Sequence, residues 1–315
     1  MNFGVEVSLE ELLKLRGLAV GLGLSRHRVV TKNMIGAHAS SIRGRGMEFD
    51  EVRLYQPGDD VQRIDWRVTS RTGKPHTKLF KEERQRPIHL IVDQRSTMFF
   101  GSKTAFKSVV AARLAALYAW SALAHQDKVG AIIVGAEKNQ FLKPSSGKKA
   151  VLRVISSLVQ FSGALARVPV GKEQSTDFAT VLRELSAAAH PGALIILLSD
   201  FSDFNDECQH FLTLLRRRCD ILCCKIFDPM EKKLPPANIY AMSDGFKELH
   251  INTRIEALRK RFEDDYEKHT QQLYSNCAKI GVPFLQLSTD DYLPTVLARA
   301  FGGMGRTVQR REHES

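Results

Sequence analysis

Ile88 to Gly101 reads IHLIVDQRSTMFFG. The first half is a short apolar run ending on Asp93, and the second opens a turn that carries Ser96 and Thr97. A strand that delivers a carboxylate into a hydroxyl-bearing turn is a common way to present hard oxygen ligands to a divalent cation. Arg95 stands in the middle of that turn, and a guanidinium offers only donors and stays charged. The fold has to be settled before the meaning of that arginine.

Runs like HLIVD (89–93) recur at VGAIIV (129–134), QFLKP (140–144), ALIILLS (193–199), DILCCKIF (220–227) and VPFLQLS (282–288). Between them lie helical patterns over 102–125, 146–161, 177–189, 204–217 and about 254–280. In the last of these, Ile255, Leu258, Phe262, Tyr266, His269, Leu273, Cys277 and Ile280 recur every three or four residues, which marks one apolar face. His269 on that stripe reads as a core histidine rather than a ligand. Strands that are apolar throughout and alternate with helices predict an α/β fold with a doubly wound, mostly parallel sheet covered on both faces. Ligands in such folds bind beyond the carboxyl ends of the strands, where the winding reverses. If strands 89–93 and 193–199 flank that reversal, Asp93 and Asp200 emerge side by side.

Outside this core, Ser8-Leu9-Glu10-Glu11 is a capping-box pattern opening a helix that is expected to end near Gly17. From Gly36 to Phe80 the chain has alternating runs, a Pro57-Gly58 turn and few helix formers, so a small N-terminal β-rich subdomain is expected. The segment 228–253 carries Pro-Pro and an Asp-Gly turn between short strands and reads as a hairpin excursion. The expected division is 1–34 (helix and basic segment), 35–86 (β-rich subdomain), 87–301 (the α/β domain with its excursion) and 302–315 (a flexible tail).

The composition, 315 residues with 43% hydrophobic and 26% charged, is that of an ordinary soluble globular protein. No apolar run approaches the length of a membrane span, since VVAARLAALYAWSALA is interrupted by Arg113. The N-terminus lacks a basic region followed by an apolar stretch. The five cysteines form no CxxC pair, and a reduced complement of core thiols fits a cytoplasmic location. The net charge of +11 is concentrated in residues 12–47, where Lys14, Arg16, Arg26, Arg28, Lys32, Arg43 and Arg45 occur without an acidic residue. No nucleic-acid motif or aromatic residue accompanies them, so a solvated basic face is favoured over a polyanion groove. Phosphate-loop, GxSxG and HExxH signatures are missing, and the chain is read as non-enzymatic.

The constellation Asp93-Gln94-Arg95-Ser96-Thr97, Ser175-Thr176-Asp177-Phe178 and Leu198-Ser199-Asp200-Phe201 resembles the von Willebrand factor A fold with its metal-ion-dependent adhesion site. More narrowly, RGRGMEFDEVRLYQPGDDVQRIDWRVTSRTGKPHTKLFKEE, followed by DPMEKKLP and GVPFLQLSTDDYLPTVLARAF, is similar to the DUF58 family over roughly residues 35 to 301. The resemblance maps Asp93, Thr97, Thr176 and Asp200 onto ligand positions and puts Arg95 where a serine oxygen is expected. Arg95 is expected to pair with Asp93 and Asp200 in place of an ion, and at about 4 Å it would repel a divalent cation by several kcal/mol. Mg²⁺ is therefore disfavoured, the motif is read as degenerate, and Arg95→Ser is expected to regain metal binding. In the signature block Arg53, Tyr55, Pro57, Gly58, Asp59, Asp60, Arg63, Asp65 and Trp66 are read as structure or a docking surface, with Trp66 as a packing anchor. The resemblance implies an interaction adaptor that works with a MoxR-type AAA+ ATPase in chaperone-like assembly or activation of a client protein. Asp93, Arg95, Thr97, Thr176 and Asp200 would form its partner-binding edge, with Arg95 accepting a partner's carboxylate. Polyanion binding is the alternative.

Overall fold

The structure is a computed structural model describing residues 4–22, 48–56, 64–81, 85–167, 176–243 and 248–301. The described residues within Met1–Ala39 and Pro87–Ser315 form one compact unit, and those within Ser40–Arg86 a second.

The larger unit is built on a six-stranded sheet. Its strands are β3 (Pro87–Gln94), β4 (Lys128–Gly135), β5 (Asn139–Ser145), β6 (Leu194–Ser199), β7 (Asp220–Phe227) and β10 (Phe284–Ser288). They lie in the order β10-β7-β6-β3-β4-β5. Every pairing is parallel except that of β5, which runs antiparallel to β4. The chain winds outward from β3 to β4 and β5, then returns to the other side of β3 with β6. The winding therefore reverses between β3 and β6, whose residues pair up to Val92 with Leu198. The doubly wound, mostly parallel α/β architecture expected from the apolar runs is what the chain forms.

Alternation along β3 explains the two cores. Ile88, Leu90 and Val92 face one side, packed with α1 (Leu9–Leu22), α3 (Lys107–Ala124), α4 (Lys148–Leu165) and α9 (Leu293–Phe301). Ile91 faces the other side, packed with α5 (Phe178–Ala188), α6 (Asp206–Arg216) and α8 (Glu256–Lys279). His89, on the strand between Ile88 and Leu90, is 1% exposed with neither ring nitrogen bonded among the described residues. Burial holds its pKa down at about 4, so the ring is neutral.

Helix α3 is buried nearly all round because α1 covers its outer face. Trp120 Nε1 donates to the Leu12 carbonyl at 2.9 Å, and Arg113 Nε to Glu11 Oε1 at 2.5 Å. The N-terminal helix thus belongs to the main unit, and it runs through Gly17 to Leu22 instead of stopping near Gly17. All five cysteines lie among the described residues, buried and with no disulfide between them. Among the described residues no helix is long and apolar enough to cross a membrane. The C-terminal half of α8 buries Leu273 and Cys277, while Ile255 and Leu258 at its start stay exposed. A short helix, α7 (Pro229–Lys232), and a hairpin of β8 (Ile239–Ser243) with β9 (Glu248–Asn252) make the excursion after β7. Asp244 and Gly245 of its turn lie outside the described residues.

In the second unit β1 (Glu48–Leu54) pairs antiparallel with β2 (His76–Lys81). Among the described residues between them, Ile64 makes an isolated bridge to Thr77 and Trp66–Thr72 form helix α2. Asp65 caps α2 by accepting from Arg67 N and Val68 N, and Gly73 ends it in the left-handed conformation at φ 69°.

Candidate functional site

Asp93 ends β3 completely buried, and its carboxylate accepts four hydrogen bonds. Oδ1 takes the Arg95 backbone N–H and Nε, both at 3.0 Å. Oδ2 takes Arg95 Nη2 at 2.8 Å and Ser199 Oγ at 2.7 Å. The guanidinium then turns its outer edge to Asp203, with Nη1 to Oδ2 at 2.5 Å and Nη2 to Oδ1 at 3.0 Å. A long contact of 3.5 Å from Nη1 to the Thr176 carbonyl completes its set, so every N–H of the group has an acceptor. Burial opposes the charge on Arg95, but the hydrogen bonds it donates to Asp93 and Asp203, with their negative charges, outweigh it and its pKa lies above the ordinary value.

The expected pair between Arg95 and Asp200 does not form. Asp200, at the end of β6, receives Lys107 Nζ on Oδ2 at 2.7 Å and Ser202 N on Oδ1 at 3.0 Å. Lys107 also reaches Glu231 Oε1 at 2.5 Å. The reason is strand alternation: Asp200 follows Ile196 and Leu198 on the α3 side of the sheet, whereas Asp93 follows Ile91 on the other face, where Arg95 lies over the Phe178 ring. Beyond Asp200 the fully buried Phe201, at φ 56°, precedes the turn that carries Asp203, whose Oδ2 also accepts Phe178 N at 3.0 Å. The Phe201 ring packs edge-on against Phe178 at 5.6 Å, and its carbonyl bonds His269 Nε2 at 3.2 Å, so His269 has a structural partner.

Burial raises the Asp200 pKa and Lys107 lowers it, with a net lowering. Burial works against Lys107 as well, but Asp200 and Glu231 hold its pKa above the ordinary value. Behind this pair Lys225, 3% exposed, donates to Thr270 Oγ1 at 2.6 Å and lies 4.6 Å from the centre of the Tyr266 ring. Burial pulls its pKa down to about 8. Asp228 ties three segments together, accepting from Ser102 N and Oγ, Thr289 Oγ1 and Met230 N.

The remaining expected site residues contribute less. Thr97 is exposed and Thr176 is half-buried, and among the described residues neither hydroxyl bonds into the cluster. A divalent ion needs free carboxylate and hydroxyl oxygens. Arg95 and Ser199 occupy Asp93, Lys107 occupies Asp200, and the threonine hydroxyls stand apart, so these residues do not fit a metal. Sequence reasoning missed Asp203, Lys107, Glu231 and Ser199. The signal for Asp203 was present, since Ser-Asp-Phe occurs twice in succession at 199–204.

A profile of the family described as "Protein of unknown function DUF58" matches residues 51–272. The chain belongs to the DUF58 family. An uncharacterized protein of Mycobacterium tuberculosis is 27% identical to it over 267 residues, covering 83% of this chain and 81% of the relative. Among solved structures, the conserved hypothetical protein BatB from Bacteroides thetaiotaomicron is similar at 12% identity and TM-score 0.40, covering 69% of this chain and 97% of BatB. The SpRpn10 VWA domain is similar at 11% identity and TM-score 0.34, covering 71% of this chain and all of that domain, 100%. With scores this low, the architecture of this DUF58 protein rests on its own strand order.

The profile match takes in most of the signature block. Arg53 lies in β1 opposite Thr77, and Tyr55 N donates to the Pro75 carbonyl at 2.8 Å. Pro57, Gly58, Asp59, Asp60 and Arg63 lie outside the described residues. Asp65 serves as the N-cap of α2, a structural role. Trp66, expected as a packing anchor between the subdomain and the sheet, is 67% exposed. Trp66→Ala is accordingly expected to change the unfolding free energy by less than about 1 kcal/mol. A urea midpoint shift equivalent to several kcal/mol would restore the anchor.

Proposed function

We propose that this DUF58 protein is a non-enzymatic interaction adaptor that works with a MoxR-type AAA+ ATPase in chaperone-like assembly or activation of client proteins. The observation that supports this reading is the mutual neutralisation of the charged groups at the winding reversal. Asp93 and Asp200 each have a resident cation, which leaves a rigid floor under exposed loop residues such as Thr97 and Asp177. A pre-formed surface on rigid elements suits recognition. A general base or nucleophile needs a free lone pair, and these carboxylates have theirs engaged. The polyanion alternative gains nothing from this rim, where Asp177, Asp206 and Glu207 are exposed.

Arg95→Glu is a poor probe of the surface, because it would leave three carboxylates together, those of Asp93, Asp203 and the new side chain, without a counter-charge and test the fold instead. Thr97→Arg combined with Asp177→Asn changes the charge at two exposed positions and keeps a side-chain oxygen to cap α5. Co-expressed with the MoxR-type ATPase of its host, the parent should retain the ATPase on affinity purification, with or without EDTA. The double variant should lose at least about tenfold of that recovery, corresponding to about 1.4 kcal/mol, with its urea midpoint unchanged. Absence of ATPase from the parent purification would overturn the adaptor reading, and full recovery by the variant would overturn the surface.

A further inference from the structure

The two edges of the Arg95 guanidinium differ in their surroundings. The inner edge, Nε and Nη2, is gripped by Asp93, whose side chain has no exposure, and Ser199 locks the far oxygen. The outer edge, Nη1 and Nη2, is gripped by Asp203, whose side chain is 34% exposed. At 2.5 and 3.0 Å the outer contact is the parallel, bidentate fork that guanidinium makes with any carboxylate, including one from another molecule. Besides Arg95, Asp203 accepts from the Phe178 backbone N–H, at the start of the 11-residue helix α5.

We propose that Asp203 is an internal stand-in for a partner's carboxylate: it closes the Arg95 fork in the free protein, and an acidic side chain of a bound protein takes its place. This deepens the adaptor reading and rests on it for the identity of the partner. Removal of Asp203 would uncover two guanidinium donors and a helix N-terminal N–H together, which is a complete receptor for one carboxylate. Charge selects the same exchange. Asp93, Arg95 and Asp203 sum to one negative charge, so an acidic group meets repulsion while Asp203 is in place and finds a neutral, donor-rich pocket once it has left. Asp177 nearby is exposed and acidic, with its carboxylate engaged as the α5 cap to Thr180 N at 2.8 Å, and it favours a partner that presents a single carboxylate over an acidic run. The backbone supports an exchange of this kind, since Asp203 sits just beyond the left-handed turn at Phe201 and outside any helix or strand. The earlier expectation that Arg95 receives a partner directly is thereby corrected: its donors are already taken, and a competitor must leave first.

The test uses a capped hexapeptide with one glutamate among glycines and serines, and its glutamine counterpart, titrated by NMR at physiological ionic strength. The parent should bind the two peptides alike. Asp203→Ala should bind the glutamate peptide at least about tenfold more tightly than the parent does, the gain expected when a competitor that fills the site more than nine-tenths of the time is removed. Addition of Arg95→Gln should abolish the gain. Asp203→Asn keeps the side-chain shape and an acceptor for Phe178 N–H while removing the charge, and it should move in the same direction if the alanine variant is poorly folded. Equal affinities in parent and Asp203 variants, or a gain for the glutamine peptide as large as for glutamate, would overturn the proposal. The peptide assay contains no ATPase, so failure to recover that ATPase would bear on the adaptor reading alone.

Discussion

Arg95→Ser is expected to lower the unfolding free energy by about 3–5 kcal/mol in metal-free buffer, the usual range for removing one partner of a buried ion pair. Asp93 has no solvent exposure, and in the variant it keeps only the residue 95 backbone N–H and Ser199 Oγ as donors. Asp203 has an escape, because its side chain is 34% exposed and retains the Phe178 N–H. The cost therefore falls mainly on Asp93, and Arg95→Ser combined with Asp93→Asn should recover a large part of it. The serine restores the oxygen that the adhesion-site motif places there, but it does not rebuild an ion site while Lys107 holds Asp200 at 2.7 Å. Millimolar Mg²⁺ should leave the urea midpoint of the variant where it was, contrary to the expectation from sequence that this one substitution suffices. A loss under about 1 kcal/mol would show that Arg95 does not compensate Asp93, because exposed pairs contribute at that level.

The sheet was legible because each strand is an apolar run bounded by turn residues, and the five expected helices of the α/β domain are all present within a few residues of the expected limits. That Asp93 and Asp200 stand on neighbouring strands was conditional on strands 89–93 and 193–199 flanking the reversal, a condition that the observed order β6-β3 meets. What the sequence reading missed depends on path as well as period. Helix α2 was missed because WRVTSRT has no apolar stripe and is held by Asp65 and Gly73 at its ends. Arg95 was assigned to Asp200 because both stand at strand ends. Period-two alternation along the strands separates them, with Asp93 on the Ile91 face and Asp200 on the Leu198 face. Asp203 reaches Arg95 along a path through the left-handed backbone at Phe201, which phenylalanine seldom adopts. Lys107 escaped notice as one cation at the head of an apolar helix, with both of its carboxylates more than 90 residues away along the chain.

Lys107→Met is the second substitution expected to have a large effect. Lys107 is the first residue of α3 and is 2% exposed. A cation there is opposed twice, by desolvation and by the positive end of the helix dipole, so its charge is retained only through Asp200 and Glu231. Methionine keeps most of the stem volume and removes the charge. Glu231, with its side chain 29% exposed, can turn to water and still accept the Asp228 N–H. Asp200, 7% exposed, is left with the Ser202 N–H, and the fold should lose about 3–5 kcal/mol at neutral pH. The pH dependence should also reverse. In the parent, the lowered pKa of Asp200 gives a contribution that is present above the ordinary value of 3.8 and is lost as pH falls through the folded value. Without Lys107, burial is the dominant influence and raises that pKa above its unfolded value, so the folded state binds the extra proton and acid favours it. The deficit of Lys107→Met relative to the parent should therefore shrink as pH falls from 7 to about 4, just above the ordinary carboxyl value, as read from urea midpoints at the two values. Adding Asp200→Asn should return at least half of the loss at neutral pH, since the uncompensated charge is then gone. A deficit that is the same at both pH values, or a double variant no more stable than the single one, would show that Lys107 is held by its packing and not by its charge.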